Sequence, residues 1–243
     1  MRLDTDRRSA RERFPAGLEQ PEGSFRFSRD ALLLAEFAAE HLPVRGAAAD
    51  LGMGCGVAAL ALLLSRPEWS AVGVEVQTEL ALCAARNIRL LGLEERAAVV
   101  EGDVSDILAL RHTREALAGM CGRAGKELPL FDAVLCNPPW RLAGTGRTPP
   151  SDLRRRALFG SPRTLPDFFH AADLLLVQRG VLAAVCGAER LADALSALPP
   201  RLHPELVRLV FTRKDAPAAF VLLLARKGGR AALRVEKLEA FEA

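Results

Sequence analysis

"AAADLGMGCGVAALALLLS", residues 47–65, decides the fold. The run 47–51 reads as a short buried strand, and the apolar run 57–65 reads as a helix. Between them Gly52, Gly54 and Gly56 stand at alternate positions. Alternating glycines let a strand turn tightly into a helix and let a ligand approach the backbone. The spacing is GxGxG, not the GxGxxG of nicotinamide binders. No Lys-Ser/Thr pair follows, which sets aside a phosphate-cradling loop.

The rest of the chain repeats this strand–helix unit. AVGVEV (71–76) reads as a strand, TELALCAARNIRLLG (78–92) as an amphipathic helix ended by Gly92, and AAVVEGD (97–103) as a strand. Residues 106–128 give a helix and a Gly/Lys/Arg-rich loop, and FDAVLC (131–136) a fourth strand. After a loop from 140 to about 165, DFFHAADLLLVQRG (167–180) reads as a helix stopped by Gly180, and GVLAAVC (180–186) as the fifth strand. ERLADALSAL (189–198) is a short helix before Pro199-Pro200. ELVRLVFTR (205–213) and AAFVLLLARK (218–227) are two last strands, with no room between them for a crossover. Upstream, Ser28 is placed to cap a helix through ALLLAEFAAEHL (31–42), closed by Pro43. Alternating strands and helices imply right-handed crossovers and a parallel sheet. The expectation is an α/β, Rossmann-like fold: a seven-stranded, mostly parallel sheet with an antiparallel last strand and helices on both faces. Residues 1–24, with Pro15, Gly17, Pro21 and Gly23, are expected to form a flexible arm, and residues 25–243 a single domain.

Composition narrows the class. The chain has 243 residues, 50% hydrophobic and 26% charged, enough to build a core and too apolar for disorder. The five cysteines are spread out with no CxxC pair, and the four histidines show no ligand spacing, so neither a disulfide scaffold nor a metal site is expected. The N-terminus mixes both charges without an apolar stretch, and no run approaches the ~18 apolar residues of a membrane span. These features fit a protein of the reducing cytoplasm.

Acids stand where successive strands end. Asp50 closes the first strand, Glu75 the second, about twenty residues after the last glycine, and Asp103 the third. In an open α/β sheet ligands bind at these carboxyl ends. Glu75 can accept from both ribose hydroxyls of a nucleoside, and Asp103 from an adenine amine. Three acids suit a nucleoside with a positive centre better than a pyrophosphate. S-adenosylmethionine, with its sulfonium and amino group and no phosphate, is such a ligand. The plainer alternative is a tight turn with acids that cap helices.

The fourth strand stops at "CNPPWR", residues 136–141. The Asn137 side-chain oxygen and the Pro138 carbonyl can form an acceptor pair. Such a pair would hold both hydrogens of a flat, conjugated amine and expose its lone pair to a methyl group. Pro138 and Pro139 fix φ and stiffen the backbone. Trp140 offers a face on which a base lifted from its stack can rest. Elsewhere Asn-Pro-Pro would be only a turn.

These residues resemble the class I S-adenosylmethionine-dependent methyltransferases that act on amines, with their [DNS]-P-P-[YFW] signature. "FRFSRDALLLAEFA" (25–38), "LGMGCG" (51–56), "VEVQTELALCAARNIRLLGLEERAAVVEGD" (74–103), "VLCNPPW" (134–140), "GVLAAVCGAERLADAL" and the closing "FVLLLARKGGRAALRVEKLEAF" resemble the bacterial tRNA adenine-N6 methyltransferase family. That family modifies the adenine just 3′ of the anticodon in a valine tRNA. The resemblance covers roughly residue 23 to the end. It implies S-adenosylmethionine as cofactor, S-adenosylhomocysteine as product, and RNA, in particular tRNA, as partner. It assigns Phe27, Ser28, Asp30, Asp50, Gly52, Gly54, Gly56, Glu75, Val76, Asp103, Val104 and Asn137 to the cofactor side. Asn137, Pro138, Pro139 and Trp140 form the catalytic motif. Trp140 stands where that family usually has tyrosine.

Charge supports a nucleic acid beside this motif. From Arg141 to Arg163 there are six arginines (141, 147, 154, 155, 156, 163) against the single acid Asp152, net +5, while the whole chain carries +3. Phosphate contacts require such a concentration; the alternative is a solvated loop. Rival readings keep methyl transfer but change the acceptor to a protein glutamine, an rRNA guanine or a small-molecule amine. Release-factor glutamine enzymes carry a sizeable helical domain ahead of the glycine loop, where this chain has about 45 residues. A non-catalytic module of the same fold is the rival of another class.

Overall fold

A computed structural model describes residues 2–22, 29–122, 127–139, 141–142 and 159–240. Eight strands form one sheet: β1 (Gly46–Leu51), β2 (Trp69–Glu75), β3 (Ala97–Glu101), β4 (Phe131–Cys136), β7 (Leu176–Gly187), β8 (Leu202–Phe211), β9 (Phe220–Lys227) and β10 (Arg234–Glu239). Their order is β10-β8-β9-β7-β4-β1-β2-β3. Two short strands, β5 (Arg141–Leu142) and β6 (Phe159–Gly160), pair separately. The helices are α1 (Arg2–Glu12), α2 (Arg29–Ala39), α3 (Val57–Ser65), α4 (Thr78–Leu90), α5 (Ile107–Met120), α6 (Thr164–Leu175) and α7 (Leu191–Ala197).

The central strands are continuous apolar runs because both sheet faces are covered. One face packs on Leu34 and Phe37 of α2, Leu60 and Leu63 of α3, and Cys83 and Ile88 of α4. The other packs on Leu110 and Leu117 of α5, Phe168 and Phe169 of α6, and Ala194 of α7. β1, β2, β3, β4 and β7 are parallel, whereas β9 runs against both β7 and β8. The mostly parallel sheet with an antiparallel closing hairpin and helices on both faces is therefore as expected.

The structure adds an eighth strand. β10 pairs in parallel with β8, and it was hard to see because its residues are largely exposed and charged, as suits a sheet edge. The helix expected over 167–180 spans Thr164–Leu175 instead, and β7 begins at Leu176. Leu176 pairs with Phe131, and the register then jumps to Ala133 opposite Val181 across an irregularity containing Arg179 at φ 70°. Gly180 thus lies in a bulged strand rather than at a helix end. Leu-Leu-Leu-Val serves a buried helix or a buried strand equally, so its periodicity could not separate them.

The segment read as an arm carries regular structure among the described residues. Residues 2–12 are helical, and the segment lies against α4. Ala10 and Leu18 are buried, and Arg11 donates to the Leu91 carbonyl at 2.8 and 2.6 Å. Glycines and prolines suggested looseness, yet the small Ala10 and the long arginine stems supply contact area.

Candidate cofactor and acceptor site

β1 is the switch point of the sheet. The chain moves outward from β1 to β2 and β3, then returns across it to β4 on the other side. A crevice opens where strand order reverses. Leu51 pairs with Cys136, so the glycine loop and Asn137-Pro138-Pro139 leave neighbouring strands at the same level. Adjacent strands lie about 4.8 Å apart.

Gly52, Gly54 and Gly56 adopt φ of 69°, 59° and 100°, values that side chains resist. The Gly52 and Met53 amides both donate to the Val74 carbonyl, at 2.8 and 3.0 Å, fixing the turn to β2. A Cβ on Gly54 would meet nothing within 4 Å, so this part of the loop faces open space that a ligand can occupy.

Asp50 and Glu75 are buried beside this loop. Asp50 Oδ2 accepts from the Ala59 amide at 3.1 Å, at the start of α3. Burial, reinforced by the nearby Glu75 and opposed by that amide, pushes the Asp50 carboxyl up to about 7. Glu75 Oε2 accepts from the Gly54 amide at 2.8 Å and Oε1 from the Gln77 amide at 2.9 Å. Burial pushes its carboxyl above the usual range despite those amides. Two buried acids short of positive charge fit a cationic ligand, and S-adenosylmethionine carries its charge on sulfur and nitrogen. Asp103 is exposed and accepts from the Ser105 amide and hydroxyl, both at 2.8 Å. Its neighbour Val104 is buried, whereas Val76, the residue just past the end of β2, is 57% exposed. Asp30 is buried at the start of α2, where Oδ1 accepts from the Ala31 amide. Phe27 and Ser28 lie outside the described residues.

Asn137 is half-buried, and among the described residues its side chain makes no hydrogen bond. It can therefore accept from an incoming N–H. Pro138 is buried beneath it and Pro139 is half-buried; Trp140 lies outside the described residues. Arg141 pairs with Phe159 across β5 and β6, which ties together the two ends of the intervening segment just past Trp140. Arg147, Arg154, Arg155 and Arg156 fall outside the described residues. Arg163 is exposed, 3.9 Å from Asp167.

Among the described residues no group of three or more His, Cys, Asp or Glu side chains is placed to hold a metal, and no helix is long and apolar enough to cross a membrane. Cys55 lies within the loop, where burial pushes its thiol up to about 12 and so disfavours the thiolate. His170 is exposed on α6.

Three supporting residues were missed in the sequence. A Cβ on Gly73, in the middle of β2, would lie 1.9 Å from Met53 Sδ. A glycine inside a buried strand signals such a close approach. Gly73→Ala is expected to displace Met53, and with it the loop, costing about 1–3 kcal/mol in denaturant unfolding. Phe168 of α6 floors the loop: a Cβ on Gly52 would stand 3.1 Å from its ring. Gln77 is buried with its Oε1 unpartnered, beside Glu75.

No model of a known protein family matches the chain. A tRNA1(Val) (adenine(37)-N6)-methyltransferase of Porphyromonas gingivalis is 26% identical over 200 residues, 81% of this chain and 69% of that protein. A release factor glutamine methyltransferase of Rhodospirillum rubrum is 31% identical over 156 residues, 61% of this chain but 42% of that one. A solved structure from Listeria monocytogenes, described as a class I S-adenosylmethionine-dependent methyltransferase, superposes with a TM-score of 0.65 at 12% identity, over 98% of this chain and 75% of the other. The last comparison shows a shared fold.

Proposed function

We propose that this chain, a class I S-adenosylmethionine-dependent methyltransferase, transfers a methyl group to the exocyclic N6 amine of an adenine in tRNA. The observation that carries the reading is the pairing of Leu51 with Cys136, which sets the glycine loop and Asn137 at the mouth of one crevice. The name borne by the Porphyromonas protein supports adenine as the base and tRNA as the carrier. In this proposal residues 25–243 act as one catalytic domain, in the cytoplasm.

S-adenosylmethionine supplies an electrophilic methyl group on a sulfonium. Asp50, Gly52, Gly54, Gly56, Glu75, Val76, Asp103 and Val104 would hold it, with Phe27, Ser28 and Asp30 from the preceding segment. Asn137 Oδ1 and the Pro138 carbonyl accept the two amine hydrogens, drawing the nitrogen out of conjugation with the ring. Held in this way, the nitrogen would present its lone pair to the methyl group that the cofactor would supply, leaving the thioether of S-adenosylhomocysteine. Because the methylated nitrogen would be cationic, its proton would pass to water only afterwards, and the acceptor pair needs no general base beside it. Trp140 supports the flipped base. Positioning and fixed dipoles provide the rate.

Arg141, Arg147, Arg154, Arg155, Arg156 and Arg163 would contact phosphates beside the crevice. Replacing Arg154, Arg155 and Arg156 by alanine is expected to weaken tRNA binding. It should also flatten the dependence of log K on log salt by about 0.7–0.9 per lost phosphate contact. Filter binding across a salt series reads this; an unchanged slope removes the loop from the interface.

The Rhodospirillum relative favours a second reading, methylation of a protein glutamine at the same acceptor pair. Labelled cofactor offered to total tRNA, rRNA and protein in parallel decides between them. Label in tRNA is expected, and label confined to protein selects the glutamine reading.

A further inference from the structure

Asn87 lies on α4, fully buried, with its side chain joining three segments. Its Nδ2 donates to the Cys55 carbonyl at 2.9 Å and to the Glu19 carbonyl at 3.0 Å. Its Oδ1 accepts from the Glu19 amide at 2.8 Å. Cys55 sits between Gly54 and Gly56. The glycine loop is thus gripped twice: from β2, where Glu75 holds the Gly54 amide, and from α4, where Asn87 holds the next carbonyl.

Two of the four Asn87 hydrogen bonds go to the N-terminal arm; the fourth is a longer one from Nδ2 to Cys83 Sγ on the same helix, at 3.7 Å. The arm is fastened along α4 by further contacts. Cys83 donates through Sγ to the Glu19 carbonyl at 3.1 Å, one turn before Asn87. Arg86 pairs with Glu19 at 2.6 Å, Arg11 caps the Leu91 carbonyl, and Arg7 pairs with Glu94 at 2.6 Å. Phe14 packs against the same core cluster as α3. Were the arm to leave, the Asn87 Oδ1 would lose its donor, and Nδ2 would keep only the Cys55 carbonyl and the weak Cys83 sulfur acceptor. A buried amide without partners is costly, so it would rotate or admit water, and the Cys55 carbonyl would lose its fixed donor.

We propose that residues 2–22 are a strap belonging to the cofactor site, and that Asn87 is the positioning residue through which docking of the arm sets the glycine loop. This rests on the reading of that loop as the cofactor seat. The strap has a specific consequence: affinity for the cofactor depends on side chains that never touch it. Arg7 and Arg11 reach α4 and the loop after it, at the end away from the crevice.

The test is calorimetric binding of S-adenosylhomocysteine to the full chain, to Asn87→Ala and to the double variant Arg7→Ala/Arg11→Ala. Each is measured well below its melting temperature, alongside tryptic cleavage of the arm and kcat at saturating cofactor. Asn87→Ala is expected to raise Kd about tenfold. The double variant should be cut faster in the arm and raise Kd several-fold, with kcat unchanged in both. A residue that merely stabilised the fold would lower the melting temperature and leave Kd alone. An unchanged Kd in either variant, or an arm no easier to cut after loss of both arginines, would overturn the strap. Failure of the unaltered chain to bind S-adenosylhomocysteine would instead overturn the reading of the glycine loop, and the strap with it.

Discussion

Replacing Asn137 by alanine is expected to lower kcat by about 10²–10³, while S-adenosylhomocysteine binds as before. That is the loss seen when one preorganised hydrogen-bonding group is removed from a transition state, with the sign of the dipole reversed here. Asn137 leaves β4 at the level where the glycine loop leaves β1, and the loop is held by β2 and α4 rather than by Asn137. The variant therefore removes an acceptor without disturbing the cofactor seat. Pro138 is buried and continues to fix the backbone. Single-turnover rates with bound cofactor separate chemistry from binding. Retained turnover would contradict the acceptor pair.

Asp50→Asn is expected to move two properties in opposite directions. Burial lifts the Asp50 carboxyl to about 7, so the folded state keeps a proton that the unfolded chain has already released above about pH 4. Stability from this group is thus greatest at low pH and is lost as pH rises toward 7. Above that the ionised, buried carboxylate burdens the cofactor-free fold. Each pKa unit corresponds to about 1.4 kcal/mol, so the cost at pH 8 is on the order of 4 kcal/mol as an upper bound. Asparagine keeps an acceptor for the Ala59 amide and carries no charge. It should therefore stabilise the free protein at pH 8 by at least about 1 kcal/mol, with the gain shrinking as pH falls and little effect left at or below about pH 4. Cofactor affinity should fall about 10- to 100-fold, because a neutral amide replaces a charged partner. Binding to the unaltered protein below pH 7 should release a proton, measurable by calorimetry in buffers of different ionisation enthalpy. An Asp50→Asn protein that binds the cofactor normally would remove Asp50 from the site.

The parts of the fold legible in the sequence are those whose local pattern and tertiary role agree. β1, β2 and β4 are short apolar runs bounded by turns, and burial on both faces demands that pattern. Glu75 could be placed from its distance after the glycines, because the βαβ unit fixes how far the next strand end lies. The start of β7 was hidden, since Leu174 to Val177 satisfy a helix core and a sheet core alike. β10 was hidden by its charge, which the sheet edge permits. Asn87 was invisible as a site residue: a lone asparagine in an amphipathic helix looks solvated until the arm is found lying over it. Gly73 and Phe168 support the loop from below, and only contact in three dimensions singles them out.

The most direct test is identification of the methylated nucleoside. Total tRNA, methylated by the full chain with labelled cofactor, is digested to nucleosides and separated against standards. Label in N6-methyladenosine, absent with Asn137→Ala, is the expected result. Label in a guanine derivative, or none in tRNA while protein is labelled, would contradict adenine-N6 transfer and the part given to the arginine segment.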